Sequence, residues 1–277
     1  MTPQADKAKA FRALHERPGM FLLPNPWDAG SARMLAGLGF EALATTSAGF
    51  AASTGVADYH ITRDMKLAHV KALAAATQLP LTADLENGFG HAPEVCAETI
   101  RLGAAAGLVG GSIEDFTGDK AKPQYEIAEA ADRVRAAAEA ARALPHDFVL
   151  TARAENFFTG TPDLADTIAR LQAYQAAGAD ALYAPGLKTL DDIRSVLAEI
   201  DRPLNVLLGP FTGFVPMADL AALGVKRVSM GSALSNAAYG AFVSAAKELL
   251  GEGTLGFLRG AAKGADLAAL MAKGAGA

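Results

Sequence analysis

The chain has 277 residues, a formal net charge of −5 and 20% charged residues, so it offers no basic surface for nucleic acid. No apolar run approaches the ~20 residues that a membrane helix needs, and residues 1–17 lack the apolar region of a secretory signal. The single cysteine excludes an internal disulfide framework and fits a reducing compartment. We therefore expect a cytoplasmic enzyme or binding protein without a nucleic-acid or membrane partner.

Strand-like and helix-like segments alternate along the chain. Short apolar runs predict strands near residues 21, 42, 81, 109, 148, 181, 204 and 227. Helical patterns predict helices over residues 4–17, 28–38, 62–78, 92–106, 126–142, 163–177, 190–200, 217–223 and 233–250, and a helical tail over 254–273. Two longer connections, at about 47–61 and 115–125, are expected to be loops, and loops of this length are often functional.

Eight strands, each followed by a helix, predict a (β/α)₈ TIM-type barrel of the α/β class. We expect one domain over residues 1–277, with an N-terminal helix at 4–17 and a C-terminal helical region at 233–273. Glycines between helix and strand favour this interpretation, because glycine supplies a left-handed helix stop; they are Gly39, Gly107, Gly178 and Gly224. A doubly wound open sheet is the alternative, but no G-x-G-x-x-G follows the first strand.

Two acids, Asp84 and Glu86, end the third strand before Gly88 and Gly90. In an extended segment, residues two apart point to the same side, so both carboxylates can face one cavity. Like charges held close need a proton or a cation between them, and Mg²⁺ prefers carboxylate oxygens. The structural alternative is a solvated Glu86 and an Asp84 that only caps the next turn.

Polar side chains also end several other strands, where barrel enzymes place their chemistry. The predicted set at this edge is Thr46, Ser47, Asp58, Asp84, Glu86, Glu114, Asp115, Arg153 and Glu155, with Asn205 inside the seventh strand. Several acids at one mouth indicate a divalent cation. A single arginine among them indicates an anionic substrate, because its fork binds carboxylate or phosphonate in two places.

The order of these motifs resembles the isocitrate lyase/phosphoenolpyruvate mutase superfamily, from about residue 21 to about residue 250. The matching pieces are Thr46-Ser47-Ala48-Gly49, Gly55-Val56-Ala57-Asp58, Asp84-Leu85-Glu86-Asn87-Gly88-Phe89-Gly90, Ser112-Ile113-Glu114-Asp115 and Thr151-Ala152-Arg153-Ala154-Glu155.

The resemblance implies a Mg²⁺ site, with Mn²⁺ as a substitute. Its ligands would be Asp84 most directly, and Glu86, Glu114 and Asp58 mostly through water. It also implies catalytic roles for Asp58, Glu114 and Arg153, and a substrate cradle made of Thr46, Ser47, Ala48, Arg153 and Asn205. Members of the superfamily form or consume the enolate of a 2-oxo acid and tend to form oligomers, so we expect a homodimer or homotetramer.

The chain departs from this pattern in two loops. Residues 115–123, where the isocitrate and methylisocitrate lyases carry a catalytic cysteine, contain neither cysteine nor histidine, and Cys96 is expected to pack inside a helix. The stretch Tyr183-Ala184-Pro185-Gly186 lacks the histidine of the phosphonate mutases. Lys120, Lys122 and His91 are further polar candidates near the mouth, each with a solvated surface position as the alternative.

These observations lead to one hypothesis and two alternatives. The hypothesis is a Mg²⁺-dependent lyase that breaks a C–C bond in a small 2-oxo- or 2-hydroxydicarboxylate, similar to oxaloacetate or malate. The first alternative is an enzyme that acts on the P–C bond of a phosphonopyruvate-like compound. The second is a protein that binds a 2-oxo acid without turning it over.

Overall fold

A computed structural model describes residues 3–209 and 215–276, and its centre is a sheet of eight parallel strands. The strands are Phe21–Leu23 (β1), Leu43–Ala44 (β2), Leu81–Asp84 (β3), Gly110–Glu114 (β4), Val149–Arg153 (β5), Ala181–Tyr183 (β6), Leu204–Leu207 (β7) and Arg227–Ser229 (β8). The prediction of eight strands and their places in the chain is confirmed.

Helices follow the strands and surround them. They are Gln4–Glu16 (α1), Ala29–Leu38 (α2), Ser47–Thr54 (α3), Arg63–Ala76 (α4), Pro93–Ala105 (α5), Ile127–Arg142 (α6), Leu164–Ala176 (α7), Leu190–Glu199 (α8), Met217–Leu223 (α9), Ala233–Gly251 (α10) and Gly264–Gly274 (α11), with a 3₁₀ turn at Gly256–Gly260. In the described part of the chain, no helix combines the length and apolarity that crossing a bilayer requires.

Neighbouring strands pair in chain order from β2 to β8, and β8 pairs with β1. Between β1 and β2, the backbone N–H of Ala44 donates to the carbonyl of Pro24 at 3.0 Å, which brings the two remaining edges together. The predicted (β/α)₈ barrel is therefore confirmed as a nearly closed barrel. The four predicted glycine stops are also confirmed, since all of them have positive φ angles, between 90° and 114°.

One expectation about the connections was wrong, and another needs a finer description. Residues 47–61 are not a continuous loop, because Ser47–Thr54 forms helix α3, with Thr46 as its N-cap and Gly55 as its left-handed stop. The predicted helical tail at 254–273 is helical in two pieces, the 3₁₀ turn Gly256–Gly260 and helix α11, with an extended Ala261 between them.

The barrel is closed at its amino-terminal end and hollow at the other. Helix α1 places Phe11 and Leu14 against Phe21, Val149 and Ala181, the first residues of three strands. The opposite faces of the strands pack on the surrounding helices through apolar side chains that include Leu150, Leu182, Val206 and Val228. Polar side chains are thereby left at the carboxyl ends of the strands and along the barrel interior.

Candidate active site

A cavity of about 720 Å³ lies at the carboxyl ends of the strands and extends into the barrel. Asp115 and Glu155 of the predicted strand-end set do not line it, whereas its walls contain all the residues to which the resemblance assigned a metal, catalytic or substrate-binding role: Thr46, Ser47, Ala48, Asp58, Asp84, Glu86, Glu114, Arg153 and Asn205. The fold thus brings together side chains that lie as far apart as residues 46 and 205 in the chain.

Arg153, the last residue of β5, lies at the centre of the acidic side chains. Its Nη1 atom lies 2.7 Å from Oδ1 of Asp84 and 3.1 Å from Oε2 of Glu114, and its Nε atom lies 2.9 Å from Oε1 of Glu155. The Tyr183 ring covers the guanidinium, with its centroid 5.1 Å from Cζ. The Arg153 guanidinium thus pairs with three carboxylates, which lie at the carboxyl ends of three different strands.

The surroundings shift the pKa values of the acids in different directions. Burial favours the protonated form of Asp84, but Arg153 and Lys66 outweigh it and hold the Asp84 pKa below its usual range. Burial raises the pKa of Glu114 well above its ordinary value, even though Arg153 opposes that shift. Burial and the neighbouring Asp84 carboxylate raise the pKa of Glu86 to about 7. Asp84 is therefore the most strongly ionised member of the cluster.

Asp84 and Glu86 both line the cavity, but strand alternation is not the reason. Strand β3 ends at Asp84, and Glu86 has a φ angle of +48°, in the left-handed region that non-glycine residues rarely adopt. The N–H of Glu86 donates to Oδ1 of Asp84 at 3.2 Å, so Asp84 also caps the turn. Asp84 therefore lines the cavity and also caps the turn, and the alternative of a solvated Glu86 is wrong, because this turn directs Glu86 inward.

The carboxylate cluster has spare oxygen atoms that can bind a cation. Oε1 of Glu86 and Oε1 of Glu114 are buried, and neither has a hydrogen-bond partner among the residues that the structure describes. Over residues 3–209 and 215–276, no three His, Cys, Asp or Glu side chains are arranged as a ready metal site. Mg²⁺ is commonly held by only one or two carboxylates, with waters and substrate completing its shell. The donor atoms of Asp84, Glu86 and Glu114 therefore fit Mg²⁺, provided that water and substrate supply the other ligands.

The segment Thr46-Ser47-Ala48 forms the first turn of helix α3. Oγ1 of Thr46 accepts from the N–H of Gly49 at 3.2 Å, and Ser47 begins the helix. The free N–H groups and the positive dipole end of a first turn attract a carboxylate. This geometry suits the predicted substrate cradle.

Lys66, on helix α4, is a residue that the sequence analysis missed. It is 0% exposed, and its Nζ atom donates to Oγ of Ser47 at 3.0 Å. Burial lowers the Lys66 pKa, while Asp84, Glu86 and Asp58 act against that shift. A signal was available: Lys66 lies four residues before Val70, on the same buried face of a helix, where a lysine is unusual.

Asp58 and Tyr59 lie at the mouth of the cavity. Burial, followed by the nearby Asp84 carboxylate, raises the Asp58 pKa. Tyr59 has a φ angle of +61°, and its ring meets that of Phe116 edge-on at 5.0 Å. An outer cavity of about 1180 Å³ begins here and includes Lys120 in its wall.

Two other predicted residues, Asp115 and Cys96, are buried in contacts that support the fold. Asp115 accepts from Tyr174 Oη at 2.5 Å, from Arg170 Nη1 at 3.1 Å and from the Glu155 N–H at 2.8 Å, so it holds elements together. The structure confirms that Cys96 is buried within a helix.

The two remaining polar candidates lie outside the inner cavity. Nδ1 of His91 lies 2.7 Å from Tyr125 Oη, so its ring is tied to that side chain. Lys122 is exposed, and its carbonyl accepts from Thr117 Oγ1 at 2.6 Å.

Comparisons with known proteins extend over most of the chain. Residues 11–250 match the family model of phosphoenolpyruvate phosphomutase. A structure from Burkholderia cenocepacia J2315, named only broadly as a lyase/mutase, is 57% identical with a TM-score of 0.94 and covers 96% of this chain and 95% of its own. An oxaloacetate decarboxylase from Chromohalobacter salexigens is 30% identical over 90% of this chain and 86% of its own. A structure of phosphonopyruvate hydrolase, solved with oxalate and Mg²⁺, is 26% identical with a TM-score of 0.85. The match covers 98% of this chain and 95% of the hydrolase chain.

Proposed function

The chain belongs to the phosphoenolpyruvate phosphomutase family, within the isocitrate lyase/phosphoenolpyruvate mutase superfamily, and from this premise we propose a specific reaction. The protein is a divalent-cation-dependent lyase of the cytoplasm. It breaks a C–C bond in a small 2-oxo- or 2-hydroxydicarboxylate, such as oxaloacetate or a malate-like acid, and leaves an enolate.

The observation that carries this proposal is the position of Arg153 among Asp84, Glu114 and Glu155 in a single cavity. The guanidinium keeps the carboxylates in place and presents a positive face to a substrate anion. The first turn of α3 at Thr46-Ser47-Ala48 supplies a second positive region for the 2-oxo-carboxylate end. Asn205, whose Nδ2 atom donates to Ser229 Oγ at 2.9 Å, lies deeper in the same cavity.

Asp84, Glu86, Glu114 and Asp58 would hold Mg²⁺ or Mn²⁺, with Asp84 as the direct ligand. A bound divalent cation supplies positive charge that stabilises the developing enolate oxygen. The spare oxygens of Glu86 and Glu114 support this assignment. Asp58 and Glu114 also act on the substrate itself, from the mouth and from the wall of the cavity respectively.

Chemistry on a P–C bond is the second candidate, favoured by the similarity to phosphonopyruvate hydrolase. The absence of a histidine from Tyr183-Ala184-Pro185-Gly186 is the reason to place it second. The two reactions differ in their products: phosphonopyruvate would yield phosphate or phosphoenolpyruvate, whereas a C–C lyase releases no phosphorus compound.

We also propose that the chain forms a homodimer or homotetramer. Large apolar side chains are exposed along α10 and the 3₁₀ turn after it, and a patch of this kind is typical of a subunit interface. We call this set the C-terminal apolar surface: Phe242, Val243, Leu249, Leu250, Leu255 and Leu258.

The experiment is turnover of a panel of 2-oxo- and 2-hydroxydicarboxylates, and of phosphonopyruvate, with Mg²⁺, with Mn²⁺ and with EDTA. The expected result is release of pyruvate or a related keto acid from one dicarboxylate, abolished by EDTA and restored by either metal. Turnover that persists unchanged in EDTA would contradict the metal assignment. Calorimetric binding of a 2-oxo acid with no product detectable by NMR would instead favour a binding protein.

A further inference from the structure

A second buried arginine, Arg227, lines the cavity at a deeper level than Arg153. It is the first residue of β8, pairs in register with Asn205 and Phe21, and is 4% exposed. Phe21 lies at the end of the barrel that α1 closes. Arg227 therefore lies toward the inner end of the cavity.

The hydrogen-bond partners of Arg227 are neutral. Its Nε atom donates to Oδ1 of Asn205 at 2.8 Å, and its Nη1 atom lies 3.3 Å from Nε2 of His15. Nδ1 of His15 lies 2.8 Å from the carbonyl of Phe11, which fixes the tautomer with Nε2 as the acceptor. Burial, followed by the charge of Arg227, lowers the His15 pKa to about 3, so this ring is neutral near pH 7.

Arg227 and Arg153 differ in the charge of the side chains that they contact. Arg153 forms ion pairs with Asp84, Glu114 and Glu155, whereas no carboxylate of residues 3–209 or 215–276 forms an ion pair with Arg227. Burial without a carboxylate lowers the pKa of Arg227 to about 10, which leaves it charged near neutral pH. A buried charge without a counter-ion destabilises the fold. An anion bound beside Arg227 would offset this cost.

The cavity wall around this guanidinium is suited to a small polar anion. Asn205 accepts from Arg227 and donates to Ser229, and the same cavity carries the hydroxyl groups of Thr82 and Ser112. Two of the five N–H donors of Arg227 are used within the described residues, which leaves three for a ligand. Parallel N–H groups of a guanidinium match the two oxygens of a carboxylate.

We propose that the inner end of the cavity is a carboxylate-binding subsite whose cation is Arg227, held in position by Asn205 and His15. The carboxylate has two sources: the second carboxylate of a dicarboxylate substrate, which rests on the proposed function, or a separate small carboxylate. The subsite is distinct from the acid cluster at Arg153, because its cation is paired with no acidic side chain of the described residues and so has none to release before it binds an anion.

The direct test uses formate as the probe, with metal-free protein in EDTA at constant ionic strength. Formate should raise the melting temperature of the wild-type protein in a saturable way. Arg227→Gln should weaken this binding at least tenfold, Arg227→Lys should retain part of it, and Arg202→Gln, at an exposed arginine, should leave it unchanged. A folded Arg227→Gln protein that binds formate as tightly as the wild type, or a wild type without saturable binding, overturns the proposal.

A crystal soaked in bromide keeps the proposal testable if Arg227→Gln does not fold. Bromide density against the Nη atoms of Arg227 in the wild type is the expected result. A wild-type crystal with bromide at other cations and none at Arg227 overturns the subsite. Neither measurement requires turnover, so a protein that fails to act on any dicarboxylate would disprove the proposed reaction and leave the subsite standing.

Kinetics with oxaloacetate distinguishes the two sources. If the substrate supplies the carboxylate, Arg227→Gln raises KM at least tenfold with a smaller change in kcat, and formate competes with oxaloacetate. If a separate carboxylate binds, KM stays within twofold and formate does not compete. Either pattern supports the subsite, provided that Arg227→Gln weakens formate binding.

Discussion

Nη1 of Arg153 and Oδ1 of Asp84 lie 2.7 Å apart, although 69 residues separate them in the chain. This ion pair joins the predicted substrate-binding cation to the predicted metal ligand. Asp84 is also 24% exposed at its side chain, against 11% for Arg153, so the cavity reaches both members of the pair. Under the proposed function, binding of a cation and binding of a substrate anion are therefore expected to affect each other at this pair.

Asp84→Asn should remove most of the activity and leave the fold intact. The amide keeps the shape of the side chain but loses the charge that attracts the cation and pairs with Arg153. We expect kcat/KM to fall by at least about 100-fold, as for loss of one major electrostatic contact in an active site. Asp191→Asn, at an exposed acid paired with Arg194, is the control and should keep full activity. Loss of cooperative unfolding in Asp84→Asn would show that Asp84 is structural instead.

Lys66→Met should change metal binding and substrate binding in opposite directions. Removing the buried ammonium leaves Asp84 and Glu86 with less neighbouring positive charge, so Mg²⁺ should bind more tightly. The hydroxyl of Ser47 loses its charged donor, and KM for the 2-oxo acid should rise by about tenfold. Isothermal titration with Mg²⁺ and steady-state kinetics measure the two effects. Lys71→Met, on the exposed side of the same helix, is the control, and equal effects in both variants would contradict the role.

His69 should make the protein less stable as the pH falls below about 6.5. Burial, followed by the charge of Lys66, lowers its folded-state pKa to about 3. Between these two values the unfolded chain binds a proton that the folded protein does not, so stability is present above the unfolded pKa and is lost on acidification. The contribution is about 1.4 kcal/mol per pH unit, or about 2 kcal/mol at pH 5.

Urea unfolding of the wild type and of His69→Gln, at pH 7.5 and pH 5, measures this contribution. The glutamine amide can keep the donation to the Trp27 carbonyl, which the His69 ring makes at 2.9 Å. The free energy of unfolding should therefore fall less in His69→Gln than in the wild type over this pH range. Parallel losses in the two proteins would rule out a neutral buried His69.

Charges placed on the C-terminal apolar surface should separate the subunits. Phe242 is 69% exposed and Leu250 is 91% exposed, so aspartates at these positions disturb little within one chain. The double variant Phe242→Asp/Leu250→Asp should have a lower mass than the wild type by light scattering. Leu38→Asp, at a 64% exposed leucine on α2, is the control. A monomeric wild type would disprove the proposed oligomer.

Much of the fold was predictable because its signals are local. Apolar runs, N-caps such as Thr62 and left-handed stops such as Gly107 each depend on a few neighbouring residues. Helix α3 was missed for the same reason: Ser47–Thr54 is made of small residues and one phenylalanine, so it has no apolar stripe of helical period. The strand-end residues were predictable because parallel strands in a barrel all end at one edge.

The sequence by itself determined which residues follow the carboxyl ends of the strands, since that follows from the order of strands and helices. Only the tertiary structure decided the inward turn of Glu86 and the burial of Lys66 beside Ser47. It also decided that, within the described part of the chain, no carboxylate pairs with Arg227. The physical reason is that the cost or benefit of a charge depends on which distant side chains share its low-dielectric surroundings, and neighbours along the chain do not report that.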